Sequence, residues 1–226
     1  MIAPWVKEEM EAATLADQRL NKRLQAVLTA LGERPTASIP AACGGYNETT
    51  AAYRFFDNEK VTFESVLGPH LQKTRERMAA QSVVLIPQDT TEIDLTRPAQ
   101  QVEGAGPLDE GARRGVLLHA LCAFTQDGTP LGMVYALPWA REDKPLEPAE
   151  ERAKNRKKTP IEEKESQRWM DTLNKCREVA RELSDTQVIA LADSEADIYE
   201  LLVAAQAEPH EIDWIVRSCQ NRAFET

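Results

Sequence analysis

Two aspartates, Asp89 and Asp193, each stand where an apolar run ends. Val83-Val84-Leu85-Ile86-Pro87-Gln88 leads into Asp89-Thr90-Thr91, and Val188-Ile189-Ala190-Leu191-Ala192 leads into Asp193-Ser194-Glu195-Ala196-Asp197. Short apolar, β-branched runs read as buried strands. If the two strands are neighbours, their carboxylates meet. Paired carboxylates hold a small hard cation, Mg²⁺ or Mn²⁺, which completes its shell with water and substrate phosphate. Two such ions about 3.5–4 Å apart serve the attacking and leaving oxygens of an in-line phosphoryl transfer. Taken singly, each aspartate reads equally well as a helix cap or loop residue; their joint placement favours the metal.

Four further residues are candidates to support these carboxylates. Thr90 and Thr91 either hydrogen-bond Asp89 or turn the chain. Glu195 and Asp197 fall in the first turn after Asp193, where negative charge also favours a helix start. In open sheets with parallel strands, sites lie beyond the strands' carboxyl ends, which agrees with this location.

The elements that must position them follow from periodicity. Residues 83–88, 115–125 and 131–137 read as strands, the last two joined as a hairpin by Gln126-Asp127-Gly128-Thr129-Pro130. The charged, proline-bearing stretch 140–160 is expected to be an excursion from the core. Residues 161–183 read as one long helix with Trp169, Met170, Leu173, Cys176, Val179 and Ala180 inward, followed by strand 187–192, helix 196–207 and strand 212–217. The order defines an α/β domain over residues 81–226. Residues 1–80 read as an all-α module. Asp17 caps a helix carrying Leu20, Leu24, Val27, Leu28 and Leu31 that Gly32 and Pro35 end, a second helix spans 48–56, and a third begins at Thr62 with a break at Gly68-Pro69.

The chain has 226 residues, 42% of them apolar, enough for a real core. No apolar run approaches the ~20 residues of a membrane helix, and Lys7 is followed at once by Glu8 and Glu9, unlike a secretory leader. A cytoplasmic protein is expected. Cys43, Cys122, Cys176 and Cys219 lack paired spacing, so free thiols are expected rather than a zinc site. The net charge of −10 opposes nucleic-acid binding, but its distribution is uneven: residues 1–80 carry ten basic and ten acidic side chains. Arg19, Lys22, Arg23 and Arg34 form one basic cluster, and Arg152, Lys154, Arg156, Lys157 and Lys158 another. Each fits a solvated helix face as well as a DNA contact.

In order and spacing, Gln88-Asp89-Thr90-Thr91, Glu162-Glu163-Lys164-Glu165-Ser166 with Trp169, Asp193-Ser194-Glu195-Ala196-Asp197 and Val216-Arg217-Ser218 resemble the DDE transposases of the IS-four group, transposon-five type. The likeness implies a ribonuclease H-like mixed sheet with flanking helices, in which the first and fourth strands lie adjacent. It makes Asp89 and Asp193 the metal-binding catalytic acids. It makes residues 15–23 and Ala52-Tyr53-Arg54-Phe55 part of a module that binds transposon ends, with Arg19, Lys22, Arg23, Arg54 and Arg217 on DNA. The implied activity is cut-and-paste transposition of an insertion sequence, by Mg²⁺- or Mn²⁺-dependent cleavage and strand transfer. Its partners are double-stranded transposon-end repeats and target DNA, and it acts as a homodimer when full length, in the bacterial cytoplasm on the nucleoid.

The family's third acid, a glutamate in a Tyr-Arg-Glu-Lys pattern, has no counterpart here, since the sequence runs only 33 residues past Asp193. The catalytic domain is therefore expected to be incomplete at its carboxyl end. The competing expectation is a truncated, non-catalytic transposase fragment that binds DNA ends or regulates. A free-standing ribonuclease H-like nuclease, or a glycosidase using two carboxyls, would leave the helical module and the Glu-Lys-Glu-Ser segment unexplained.

Overall fold

Asp17 starts a helix by accepting the main-chain N–H of Arg19 at 2.7 Å, the usual bond of an N-cap aspartate. In this computed structural model, which describes residues 1–97, 102–109, 112–143, 158–207 and 210–222, that helix is α2, Gln18–Glu33. The chain divides into two units, Met1–Glu76 and Arg77–Thr226.

In the first unit, α2 turns Leu24 and Val27 inward, and Leu24 joins Val6, Met10, Leu15 and Phe55 in one apolar cluster. Fully burying each such side chain is worth about 1.5–3 kcal/mol. Two elements were not expected: α1, Pro4–Glu9, with a proline at its start, and α3, Ile39–Cys43, ended by Gly44 at φ 75. The helix α4, Tyr46–Phe56, begins two residues earlier than read. Gly32 does not end α2. It lies inside the helix beneath Trp5, where a Cβ would sit 2.4 Å from the indole Cζ2. Nor does Pro69 break α5, Phe63–Ala79; it is buried, and that burial offsets the main-chain bond it cannot donate.

The second unit is built on a six-stranded mixed sheet. Its strands are β1 (Val83–Asp94), β2 (Gly106–Pro107), β3 (Arg114–Phe124), β4 (Pro130–Trp139), β5 (Gln187–Ala192) and β6 (Asp213–Val216), in the order β2-β3-β1-β5-β6 with β4 also paired to β3. Strand β1 is parallel to β5 and antiparallel to β3. Its alternation puts Val84, Ile86 and Gln88 on the buried face. There they meet α6, Gln167–Glu182, which buries Trp169, Thr172, Leu173, Cys176 and Val179 at helical spacing. A last helix, α7, Tyr199–Gln206, adds Leu201 and Ala205 to this core. Gly128, at φ 86, makes the β3–β4 turn that the Asp-Gly pair foretold.

Three expectations are corrected. Strand β1 does not stop at Gln88 but runs to Asp94, because Thr90 to Asp94 stay paired with β3. The turn role for Thr90 and Thr91 falls with it. Residues 161–183 are not one helix: Ile161–Glu163 is a 3₁₀ turn, and Lys164 is extended (φ −97, ψ 152) before α6 begins. The helix read from 196 begins at Tyr199, since Asp193 caps only a 3₁₀ turn, Ser194–Ala196, and Ile198 is extended. The basic residues Arg152, Lys154, Arg156 and Lys157, and most of the expected excursion 140–160, lie outside the described residues. Among the described residues no helix is long and apolar enough to cross a membrane.

Candidate functional site

Parallel pairing of β1 with β5 ends at Gln88↔Ala192, so Asp89 and Asp193 are the next residues on adjacent chains. Neighbouring strands run about 4.8 Å apart. Asp89 shares its parity with Leu85 and Pro87, and Asp193 with Ile189 and Leu191, so both aspartates face away from α6. They line one open groove of about 380 Å³ with Pro87, Gln88, Leu191, Ala192 and Arg217. Asp89 is exposed and lies within a strand; Asp193 follows the last residue of one.

Each carboxylate has one oxygen engaged by the chain just after it. Asp89 Oδ1 accepts the N–H of Thr90 at 2.7 Å, and Asp193 Oδ1 accepts that of Glu195 at 2.8 Å. Asp89 Oδ2 has no hydrogen-bond partner among the described residues. Asp193 Oδ2 faces the Arg217 guanidinium at 3.7 Å. Asp89 Oδ2, and Asp193 Oδ2 if Arg217 swings aside, are oxygens of the kind a hard cation takes, which one or two carboxylates plus water can hold. Among the described residues no group of three or more His, Cys, Asp or Glu side chains is arranged for a metal.

The residues read as supports have diverse partners. Thr90 Oγ1 accepts from Arg168 Nε at 2.9 Å and lies 2.8 Å from His119 Nδ1. Thr91 makes no side-chain hydrogen bond among the described residues. The Glu195 carboxylate accepts from Arg168 Nη2 at 2.9 Å. Asp197 does not back Asp193. Its buried carboxylate instead accepts from the main-chain N–H of Cys219 and Gln220, from Ser218 Oγ and from Arg222. These bonds, that of Cys219 first, hold its pKa well below the carboxylate range.

Behind the groove runs a polar chain whose donor roles can be assigned. Arg168 has only donors, so Thr90 Oγ1 accepts from it; with the neutral ring protonated at Nε2, the Thr90 hydroxyl donates to His119 Nδ1. His119 Nε2 then donates to Gln88 Oε1 at 3.3 Å, which also takes the Thr172 hydroxyl at 2.6 Å. The imidazole packs edge-to-face on Trp169, with centroids 4.6 Å apart. Burial and then the Arg168 charge push the His119 pKa down to about 4, which agrees with a neutral ring. Sequence reading missed this chain. A signal existed, since His119 occupies the apolar parity of Leu117, Leu121 and Ala123. Lys164 and Glu165 precede α6, and the Glu165 carboxylate pairs with Arg141 at 2.6 and 2.8 Å.

In the first unit, Lys22 and Arg54 are exposed, Arg23 is half-buried, and none of the three has an ion-pair partner among the described residues. Arg19 differs, because its guanidinium is tied to Asp17 at 2.8 Å. On α4, Arg54 stands among the exposed Tyr53 and Phe56, and with Thr50 and Asp57 they line an open groove of about 520 Å³. Tyr46, 85% exposed, opens the same helix.

Residues 2–61 match the family of transposase DNA-binding domains. That match supports a transposase and DNA as the partner of the amino-terminal unit. No curated protein matches the chain.

Proposed function

We propose that this chain is a cut-and-paste DNA transposase of the DDE type and the IS-four group, with a ribonuclease H-like second unit. The observation that carries the reading is the placement of Asp89 and Asp193 on one sheet face, in one groove, one residue past the last paired row of two parallel strands. The strand order, with β1 between β3 and β5, supports the ribonuclease H-like assignment. The match over residues 2–61 supports recognition of transposon ends by the first unit.

Within this reading, α4 presents Arg54, Tyr53 and Thr50 to the duplex, while Lys22 and Arg23 of α2 neutralise phosphates. Asp89 and Asp193 would hold Mg²⁺ or Mn²⁺ through Asp89 Oδ2 and Asp193 Oδ2, the latter now 3.7 Å from the Arg217 guanidinium. When bound, such an ion would supply activation of the attacking water or 3′-hydroxyl and stabilisation of the leaving oxygen. Arg217, exposed beside Asp193, orients the scissile phosphate.

A second reading, a DNA-end-binding protein that does not cut, is favoured by the absence of a third acid beside the pair among the described residues. One experiment separates them. Duplexes carrying the terminal repeats that flank the gene are incubated with the chain and Mg²⁺. Cleavage abolished by Asp193→Ala supports the transposase; retained binding without cleavage supports the second reading; absence of end binding overturns both.

A further inference from the structure

We infer that Arg168 is the positioning residue that sets the spacing of Asp89 and Asp193, and so the divalent-cation affinity of the groove. The inference rests on the two-carboxylate metal reading above. Past the row Gln88↔Ala192 no main-chain pairing joins β1 to the chain leaving β5, so the two aspartates stand one residue beyond the last hydrogen bonds that could fix their separation. Asp89 stays paired with Ala120 of β3, and each carboxylate is oriented by the residue whose N–H engages its Oδ1: Thr90 for Asp89, Glu195 for Asp193. Arg168 grips the side chains of these same two residues. Its Nε donates to Thr90 Oγ1 and its Nη2 to Glu195 Oε2, both at 2.9 Å.

The guanidinium is itself fixed. Nη1 donates to the Glu165 carbonyl at 2.9 Å, and Cζ lies 5.7 Å from the Trp139 ring centre and 5.5 Å from that of Trp169. The side chain is only 13% exposed. It acts from the sheet face of Thr90 and α6, opposite the aspartates. A planar fork with its donors in fixed directions can bridge two strands in this way. A lysine, whose three donors rotate on one ammonium, does not hold them in fixed directions.

The test is Mn²⁺ binding by the whole chain, followed by the paramagnetic signal of free Mn²⁺ well below the melting temperature, with circular dichroism confirming the fold. Asp89→Asn and Asp193→Asn probe the site itself. If the wild type takes up no Mn²⁺, or these two variants bind as well as it does, the metal site falls and the inference with it. With the site established, Arg168→Gln and Arg168→Lys should each weaken Mn²⁺ binding about 10- to 100-fold, the usual effect of losing a group that orients metal ligands. Thr90→Val and Glu195→Gln should each weaken it too, and should add little in the Arg168→Gln background. Wild-type affinity in folded Arg168→Lys would overturn the inference alone. Should the Arg168 variants fail to fold, unchanged affinity in both Thr90→Val and Glu195→Gln would overturn it equally.

Discussion

The Asp197 carboxylate accepts the main-chain N–H of Cys219 at 2.7 Å and that of Gln220 at 2.8 Å, tying the start of α7 to the segment that leaves β6. With Ser218 Oγ and Arg222 it leaves that carboxylate 2% exposed and fully engaged. Asp197→Ala should release residues 218–222, since among the described residues no other side chain accepts from their main-chain N–H. Trypsin should then cut after Arg217 and Arg222 much faster than in the wild type, while the sheet stays protected. Because the pKa of Asp197 lies below its ordinary value, the clamp is present at all pH values above 3.8 and is lost only as the pH falls through the depressed value. Proteolysis at pH 5 and pH 8 should therefore show the same wild-type protection.

His119 should make the second unit acid-sensitive in a different window. Its folded-state pKa, about 4, lies below the ordinary 6.5, so the unfolded chain binds more protons between those values. Stability is complete above pH 6.5 and falls as the pH drops toward 4, by up to about 1.4 kcal/mol per pH unit. Denaturant unfolding from pH 7.5 down to 5 should show this slope, and His119→Gln should flatten it. Equal slopes in both proteins would reject the assignment.

Arg54 and Arg23 should contribute to DNA affinity through phosphate. Each contact removed lowers the slope of log K against log salt by about 0.9. Fluorescence anisotropy with an end duplex at several salt concentrations should show that reduction for Arg54→Ala and for Arg23→Ala. Arg19→Ala should change the slope less, because its guanidinium is already engaged by Asp17.

Leu173 is 3% exposed within the core that joins α6 to the sheet. Leu173→Ala should cost about 2–5 kcal/mol in unfolding free energy, the transfer term plus the cavity. Val203, on α7 and 52% exposed, provides the control: Val203→Ala should shift stability by no more than about 0.5 kcal/mol.

Much of the architecture was legible in the residues. Alternation in 115–125 and 131–137 with Asp-Gly between them gave the β3–β4 hairpin, and Asp17 with Leu24 and Val27 gave α2. Short pieces escaped. Helices α1 and α3 are too brief for periodicity, and β2 is two residues long. Local propensity disfavours both Gly32 and Pro69 inside helices and marks each as a break. Packing overrode it, through the Trp5 ring over Gly32 and the burial of Pro69.

The candidate site divides in the same way. An aspartate at the end of an apolar strand is a local pattern, so Asp89 and Asp193 could be picked out from the sequence alone. That they share a face and a groove depends on parallel pairing of segments about a hundred residues apart, which local periodicity does not encode. The partners of Arg168 and Asp197 are likewise long-range: Thr90, Glu195, Cys219 and Gln220 reach them only once sheet and helices have packed. Side-chain type and spacing set which groups carry charge and which faces are apolar. Tertiary packing chose which charge meets which acceptor, because hydrogen bonds act over about 3 Å and only the assembled fold brings distant residues that close.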